Sequence, residues 1–339
     1  MKKKTIIILL TILAVVIGGA IYGYSIISSG FGIDKKVYVY VYEDKNYNNL
    51  LAQLENVAKI KNKSDFNRIA TLLSYKDNMR TGRYAVTPDM TVLSLIRDLR
   101  NGHQEPVRLT FNNIRTKKDF AKRISEQLMS TETDLLSMLS DEKICESFGF
   151  DTQTIIAMFI PNTYEFYWNT SAKEFLTRMN KEYKKFWNQQ RVAKAEAINL
   201  TPIQVSILAS IVEEECTYSD EYPVVAGLYL NRLHIGQRLQ ADPTVKFAVG
   251  DFGLRRILNV HLQVESPYNT YLHEGLPPGS IRIPSIKGID SVLNYDKNDY
   301  YYMCAKDDFS GRHNFAKTHA EHQIFAQRYR KALNERGIK

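Results

Sequence analysis

Cysteine is scarce in this chain. The three present, Cys145, Cys216 and Cys304, fall at no metal-ligand spacing, and an odd number cannot close a complete disulfide framework. They read as small buried hydrophobes. None lies near the N-terminal apolar run, which removes the simple lipoprotein reading. Long basic blocks are also absent beyond the N-terminus. The net charge of +8 is spread along the chain, which suggests an anionic surface or polymer as neighbour rather than nucleic acid. His319 and His322 stand at i and i+3, but no third ligand has a defined spacing, so they read as solvent-facing or packing residues. No metal and no other cofactor is expected.

What is present is an ordinary globular composition, 44% apolar, in 339 residues, enough for roughly two domains. Lys2, Lys3 and Lys4 form a short basic tail (residues 1–4) ahead of an uncharged apolar run over residues 5–27, long enough to span a bilayer core of about 30 Å. The lysines favour a cytoplasmic N-terminus, with everything after residue 27 on the far side of a cytoplasmic (inner) membrane that is crossed once. A cleaved signal peptide is the rival reading. Gly18 and Ala20 offer small residues for cleavage, but the apolar run continues past them.

Residues 36–105 read as a small α+β module. VYVYVY is an alternating strand, and helix-like segments follow at 47–58 and 63–73. A second strand covers Gly82 to Val86, and Thr87 with Pro88 opens a helix that stops at Gly102. No catalytic constellation lies in this module, which is either a packing unit or a polymer-binding one. From 106 onward comes a strand at 107–111, then mainly helical, charge-rich sequence, with a solvated helix face expected over 181–191. The segment FIPNTYEFYW, 159–168, has the composition of a loop laying rings against a sugar face, though core aromatics explain it equally well.

The chain is organised around residues 200–217, LTPIQVSILASIVEEECT. Thr201, Pro202 and Gln204 supply an N-cap, a proline in the first turn and a capping-box glutamine. Three, four and seven residues before Glu215 stand Val212, Ile211 and Leu208, so Glu215 continues an apolar stripe, whereas Glu213 and Glu214 lie over mixed or small-polar faces. Desolvation, the negative helix end and neighbouring glutamates would each raise the pKa of such a carboxyl. A carboxyl kept protonated near neutral pH can protonate a leaving group, a glycosidic oxygen for example. The bland alternative is a solvated, frayed helix end. A second helix opens at Pro223, with Val224, Leu228 and Tyr229 on one side, Asn231 and Arg232 near its end and Gly236 as its stop. Residues 266–285, rich in Pro, Gly, Asn and Tyr, form a shaped loop of the kind that usually carries function. The C-terminal part promises one more strand and a helix.

Seven stretches in order resemble one family: GRYAVTPDMTV from Gly82, FIPNTYEF from Phe159, LASIVEEEC from Leu208, VAGLYLNRL from Val225, LQADPTV from Leu239, YNTY with GLPPGSI between Tyr268 and Ile281, and HNFAKTHAEH from His313. The family is the membrane-anchored endolytic murein transglycosylases, the YceG-like or MltG family. In it the helix motif usually ends Glu-x-Glu-Thr, with the second glutamate as catalytic acid, the position held here by Glu215. Cys216 replaces the usual threonine, and Ala241 stands where threonine is common.

The resemblance implies an α+β fold with an N-terminal transmembrane helix, a LysM-like module at 36–105 and a catalytic domain at 106–339 that carries the acid on a helix. It also implies a lyase acting on the MurNAc–GlcNAc bonds of nascent peptidoglycan glycan strands, which limits their length alongside peptidoglycan synthases. Glu215 would serve as acid and then base, closing a 1,6-anhydro ring on the muramyl sugar. Gln240, Asn269 and Tyr271 are the candidates for positioning the sugar, with Asn231 as a further binding candidate and Tyr268 or Tyr164 as stacking surface. Asp242 is either a second carboxylate supporting oxocarbenium-like charge or a turn residue before Pro243. The alternatives are a non-catalytic wall-binding membrane protein and a lysozyme-like muramidase.

Overall fold

The structure, a computed structural model, describes residues 2–254 and 256–337. Helix α1 (Lys2–Ile27) leaves side chains such as Ile7, Leu9, Leu13 and Val16 more than half exposed. Its Lys3–Ile27 stretch is long and apolar enough to cross a membrane. An apolar surface of this length with no protein cover suits a lipid environment, so α1 has the character of a single membrane anchor.

The chain divides into two compact units. The first holds the residues up to Leu109 together with the short returns Glu126–Ser130 and Glu165–Thr170, which no shift in composition marks. Its β1 (Val37–Val41) pairs antiparallel with β2 (Gly82–Val86), setting Val39 opposite Tyr84 and Val37 opposite Val86. The period-two alternation sends Val39, Val41, Tyr84 and Val86 into the core. There they meet α2 (Tyr47–Asn56), α3 (Lys63–Leu72) and α4 (Val92–Asn101). Helix α4 buries Val92, Leu95, Ile96 and Leu99, an i, i+3, i+4, i+7 stripe. It starts later than Thr87–Pro88 suggests. Met90 N–H bonds Thr87 O in a turn, and the cap is Thr91, which shares a capping box with Ser94. Trp168 packs edge-on to Tyr40 and Tyr42, with ring centres 4.8 and 5.2 Å away.

A second two-stranded sheet pairs β3 (Val107–Phe111) with β4 (Asn162–Phe166). The segment 159–168, which reads as either a sugar-facing loop or core aromatics, therefore contains a strand, and Phe159, Tyr164, Phe166 and Trp168 are buried, as the core alternative has it. The second unit carries α5 (Lys117–Ser125), α6 (Glu132–Ser140), α7 (Glu142–Ser147), α8 (Ala172–Phe186) and α9 (Gln189–Ala197). The solvated face expected over 181–191 is broken between α8 and α9, where Trp187 is buried and Asn188 caps α9.

At the centre of this unit lies α10 (Pro202–Glu215), capped by Thr201 and Gln204 as its sequence requires. It packs with α11 (Tyr222–His234), α12 (Asp242–Val249) and α13 (Ile286–Leu293). Every residue from Val205 to Glu213 is buried, so α10 has no single inward stripe. On α11, Gly227 lets the 296–298 loop approach: an added Cβ would sit 2.2 Å from Asp296 O. The C-terminal part holds a hairpin rather than one strand, β5 (Tyr302–Ala305) antiparallel to β6 (His313–Ala316), followed by α14 (His319–Glu335). Cys145 and Cys216 are buried as expected, whereas Cys304 on β5 is only half-buried.

Candidate active site

The three glutamates at the end of α10 meet three different surroundings. Glu213 is the most buried. Its Oε1 accepts from Ser285 N–H at 2.9 Å and from the Ser285 hydroxyl, and Arg282 Nε lies 3.6 Å from its Oε2. Gly288 makes room for it, since a Cβ there would fall 2.2 Å from Glu213 Oε1. Glu214 is held by Arg115 at 2.8 Å and Arg282 at 2.6 Å. The expectation that Glu215 continues an apolar stripe while Glu213 and Glu214 lie over mixed or small-polar faces is thus corrected, because a helix buried all round turns more than one of its glutamates toward protein.

What sets Glu215 apart is the absence of a cationic partner among the described residues. Its Oε1 accepts a 2.8 Å hydrogen bond from Tyr229 Oη on α11. Burial pushes its pKa up to about 8, helped by the like charge of Asp242 and opposed by the Tyr229 bond and by Arg232. Asp242, from another element, is the like charge that acts here. At neutral pH the Glu215 carboxyl is protonated.

Glu215 lines a cavity of about 830 Å³ together with Tyr229, Gln240, Asp242, Tyr271 and His313. Helix α10 ends here because Cys216 turns extended, at φ −101° and ψ 128°. In the cavity lining Gln240 adopts φ +47°, a strained conformation for a non-glycine residue, with its N–H bonded to Thr270 O at 3.1 Å. Thr244 and Thr270 join hydroxyls at 2.8 Å, and Thr270 Oγ1 accepts from Ala241 N–H at 3.0 Å. These two hydroxyls brace the Gln240–Asp242 segment although Ala241 itself has none. Asp242 opens α12 and accepts a 2.6 Å bond from Tyr271 Oη, whose pKa is raised by burial and by Asp242. His313 is clamped by Glu221, through its N–H at 3.0 Å and Nδ1 at 3.1 Å.

Of the binding candidates, Gln240, Asp242 and Tyr271 meet Glu215 in this cavity. The others do not. Asn269 is fully buried: its Nδ2 donates to Leu262 O and Val264 O, and its Oδ1 accepts from Tyr271 N–H at 3.0 Å. It orients Tyr271 rather than touching a ligand. Tyr268 packs on Phe247, with ring centres 4.7 Å apart, and donates to Gln153 Oε1 at 3.0 Å. Tyr164 is buried with its hydroxyl on Ile160 O, which removes it as a stacking surface. Asn231 donates to Asn298 O and Tyr300 O, and lines a separate cavity of about 660 Å³ whose lining includes no carboxylate.

Two residues of the site escaped the sequence reading as polar participants. Tyr229 looked like one more apolar side chain, yet a buried tyrosine hydroxyl needs a partner, and the nearest helix end offered acids. Arg232 is buried with its guanidinium on Tyr301 O at 2.6 Å, Leu239 O at 2.5 Å and Arg238 O at 3.3 Å, tying the residue before β5 to the segment that leads into Gln240. Tyr229→Phe should move the Glu215 pKa further up, because the lost bond favours the ionised form. The basic limb of the activity–pH profile would then shift up by roughly one pH unit. An unmoved or lowered limb would show that Tyr229 does not control this carboxyl.

Fold and site together define the class: an α+β protein with an N-terminal apolar helix and a helix-borne acid lining a cavity. The chain belongs to the YceG-like family, whose profile matches residues 39–328. It is 25% identical over 359 aligned residues to the endolytic murein transglycosylase of Streptococcus pneumoniae serotype 2 (strain D39 / NCTC 7466), an alignment that covers 94% of this chain and 64% of that protein. The chain therefore spans less than two thirds of that relative's length. The endolytic murein transglycosylase of Bacillus subtilis (strain 168) is 38% identical over 129 residues, 38% of this chain and 35% of that protein. The 2.6 Å crystal structure of a putative yceG-like protein from Listeria monocytogenes superposes with a TM-score of 0.56 at 25% identity, covering 86% of this chain and 99% of that one.

Proposed function

We propose that this protein is a membrane-anchored endolytic peptidoglycan lytic transglycosylase. The observation that carries the reading is the protonated Glu215 carboxyl in a cavity it shares with Asp242, Gln240 and Tyr271. The names borne by the relatives, endolytic murein transglycosylase, supply the substrate. Glu215 protonates the oxygen between N-acetylmuramic acid and N-acetylglucosamine as the bond to the muramyl C1 breaks. The resulting carboxylate then takes the proton of the muramyl 6-hydroxyl, whose oxygen closes onto C1 to give the 1,6-anhydro end. An intramolecular nucleophile has a high effective concentration, so one carboxyl suffices. Gln240 and Tyr271 position the sugar, and Asn269 acts through Tyr271.

In the same reading, residues 36–105 are a LysM-like module and 106–339 the catalytic domain. The basic N-terminus stays cytoplasmic and the rest lies outside the inner membrane, where the enzyme trims nascent strands beside peptidoglycan synthases. One observation favours a second reading: Asp242 shares the cavity with Glu215, as a two-carboxylate muramidase requires. Mass spectrometry of products from peptide-free glycan strands separates the two. Anhydro-muramyl ends are expected; reducing ends would establish the hydrolase, and uncut strands that co-sediment with the protein would establish a wall-binding protein.

A further inference from the structure

The charges around the cavity do not balance. Among its acids, Glu214 is neutralised by Arg115 and Arg282, Glu215 carries its proton at neutral pH, and Asp242 is turned to the Tyr271 hydroxyl. Among its bases, Arg232 has spent its guanidinium on backbone carbonyls and His313 is held by Glu221. Three cations remain, from three parts of the chain: Lys246 on α12, Arg256 after it and Arg330 on α14. Among the described residues none of the three has an acidic partner. Arg330 only bonds Ala326 O, one turn back on its own helix. Lys246 stands one turn after Asp242 on α12, the spacing of a helical ion pair, yet Asp242 bonds Tyr271 instead. Lys246 is half-buried, and its charge acts on Glu215.

Unpaired cations converging on a concave wall focus a positive field. A neutral polysaccharide gains little from them, whereas a carboxylate gains charge-assisted hydrogen bonds, bidentate ones from arginine. We infer that Lys246, Arg256 and Arg330 read carboxylates attached to the sugars of the bound strand, so that the cavity selects an anionic glycan over a neutral one of the same backbone. This rests on the proposed function and names the substrate class of the same cavity. Two sources share the chemistry: the lactyl carboxylate of a peptide-free muramyl residue, and the free carboxylates of a peptide stem.

The test uses full-length Glu215→Gln protein in detergent, so that binding is read without cutting, and fluorescently end-labelled strands. Four ligands are compared: peptide-free strands, the same strands with lactyl carboxylates converted to methyl amides, stem-bearing strands, and stem-bearing strands with the stem carboxylates amidated. Amidation should weaken binding at least tenfold in one pair, and the pair affected identifies the source. Adding Lys246→Gln or Arg330→Gln should weaken the carboxylate strand several-fold and leave its amidated form unchanged. Equal binding of both forms in both pairs, or equal weakening of both by the variants, would overturn the inference. If the wild-type protein cuts nothing while the Gln variant still prefers anionic strands, the proposed activity fails and the charge reading stands.

Discussion

If the proposed activity holds, Glu215→Gln should lower strand cutting by about 10²–10⁴-fold, the usual contribution of a positioned acid, and at the same time stabilise the protein at neutral and basic pH. Both effects have one cause. The amide keeps the shape of the side chain and still accepts from Tyr229 Oη, but it has no proton to give and no charge to bury. Burial and Asp242 raise the folded-state pKa of Glu215 from 4.5 to about 8. Between those values the unfolded chain has lost the proton that the folded chain keeps. Wild-type stability is therefore unpenalised below the lower value and falls as pH rises to the higher one, by about 1.4 kcal/mol per pH unit. The variant escapes this loss. Its melting temperature should match wild type near pH 4.5 and exceed it by a widening margin up to pH 8, at roughly 2–4 °C per kcal/mol for a unit of this size. A gap that stays constant across this window would mean that the Glu215 carboxyl is not held protonated by its burial.

Arg282→Met destabilises by about 3–5 kcal/mol, the range for removing one partner of a buried ion pair. The Arg282 side chain is 12% exposed and serves Glu214 at 2.6 Å and Glu213 at 3.6 Å, their side chains 16% and 3% exposed. Glu214 keeps Arg115, but among the described residues Glu213 is left with Ser285 alone as a partner. The loss should therefore come mainly from Glu213, and adding Glu213→Gln should recover at least half of it in a double-mutant cycle. Melting curves of the two single variants and the double variant decide this. Strictly additive losses would show that Arg282 acts by packing rather than by charge.

Much of the fold was legible because local rules act on neighbours. Thr201, Pro202 and Gln204 announce the start of α10, VYVYV its strand, and Gly102 and Gly236 the ends of α4 and α11 through positive φ. The shaped loop at 266–285 was legible from its Pro, Gly and Asn content. Misreadings fell where a distant partner overrode a local signal. Tyr164 reads as a stacking surface, but aromatic rings recruited from remote strands form a core equally well, the alternative the sequence leaves open for 159–168, and here they do. Asn269 carries the chemistry of a ligand contact, yet two remote carbonyls claim its amide.

The sequence by itself determined the membrane-length apolar helix, the boundaries of α10 and the short list of acids at its end, since each depends on residues within a turn or two. The sequence also singled out Glu215, but only the tertiary structure decided what surrounds each of the three acids. Arg115, Arg282 and Ser285 reach Glu213 and Glu214, whereas Tyr229 and Asp242 reach Glu215. A helix buried on every side carries no local signal of what each face will meet, because a carboxyl's pKa is set by desolvation and by charges that the fold brings from elsewhere in the chain.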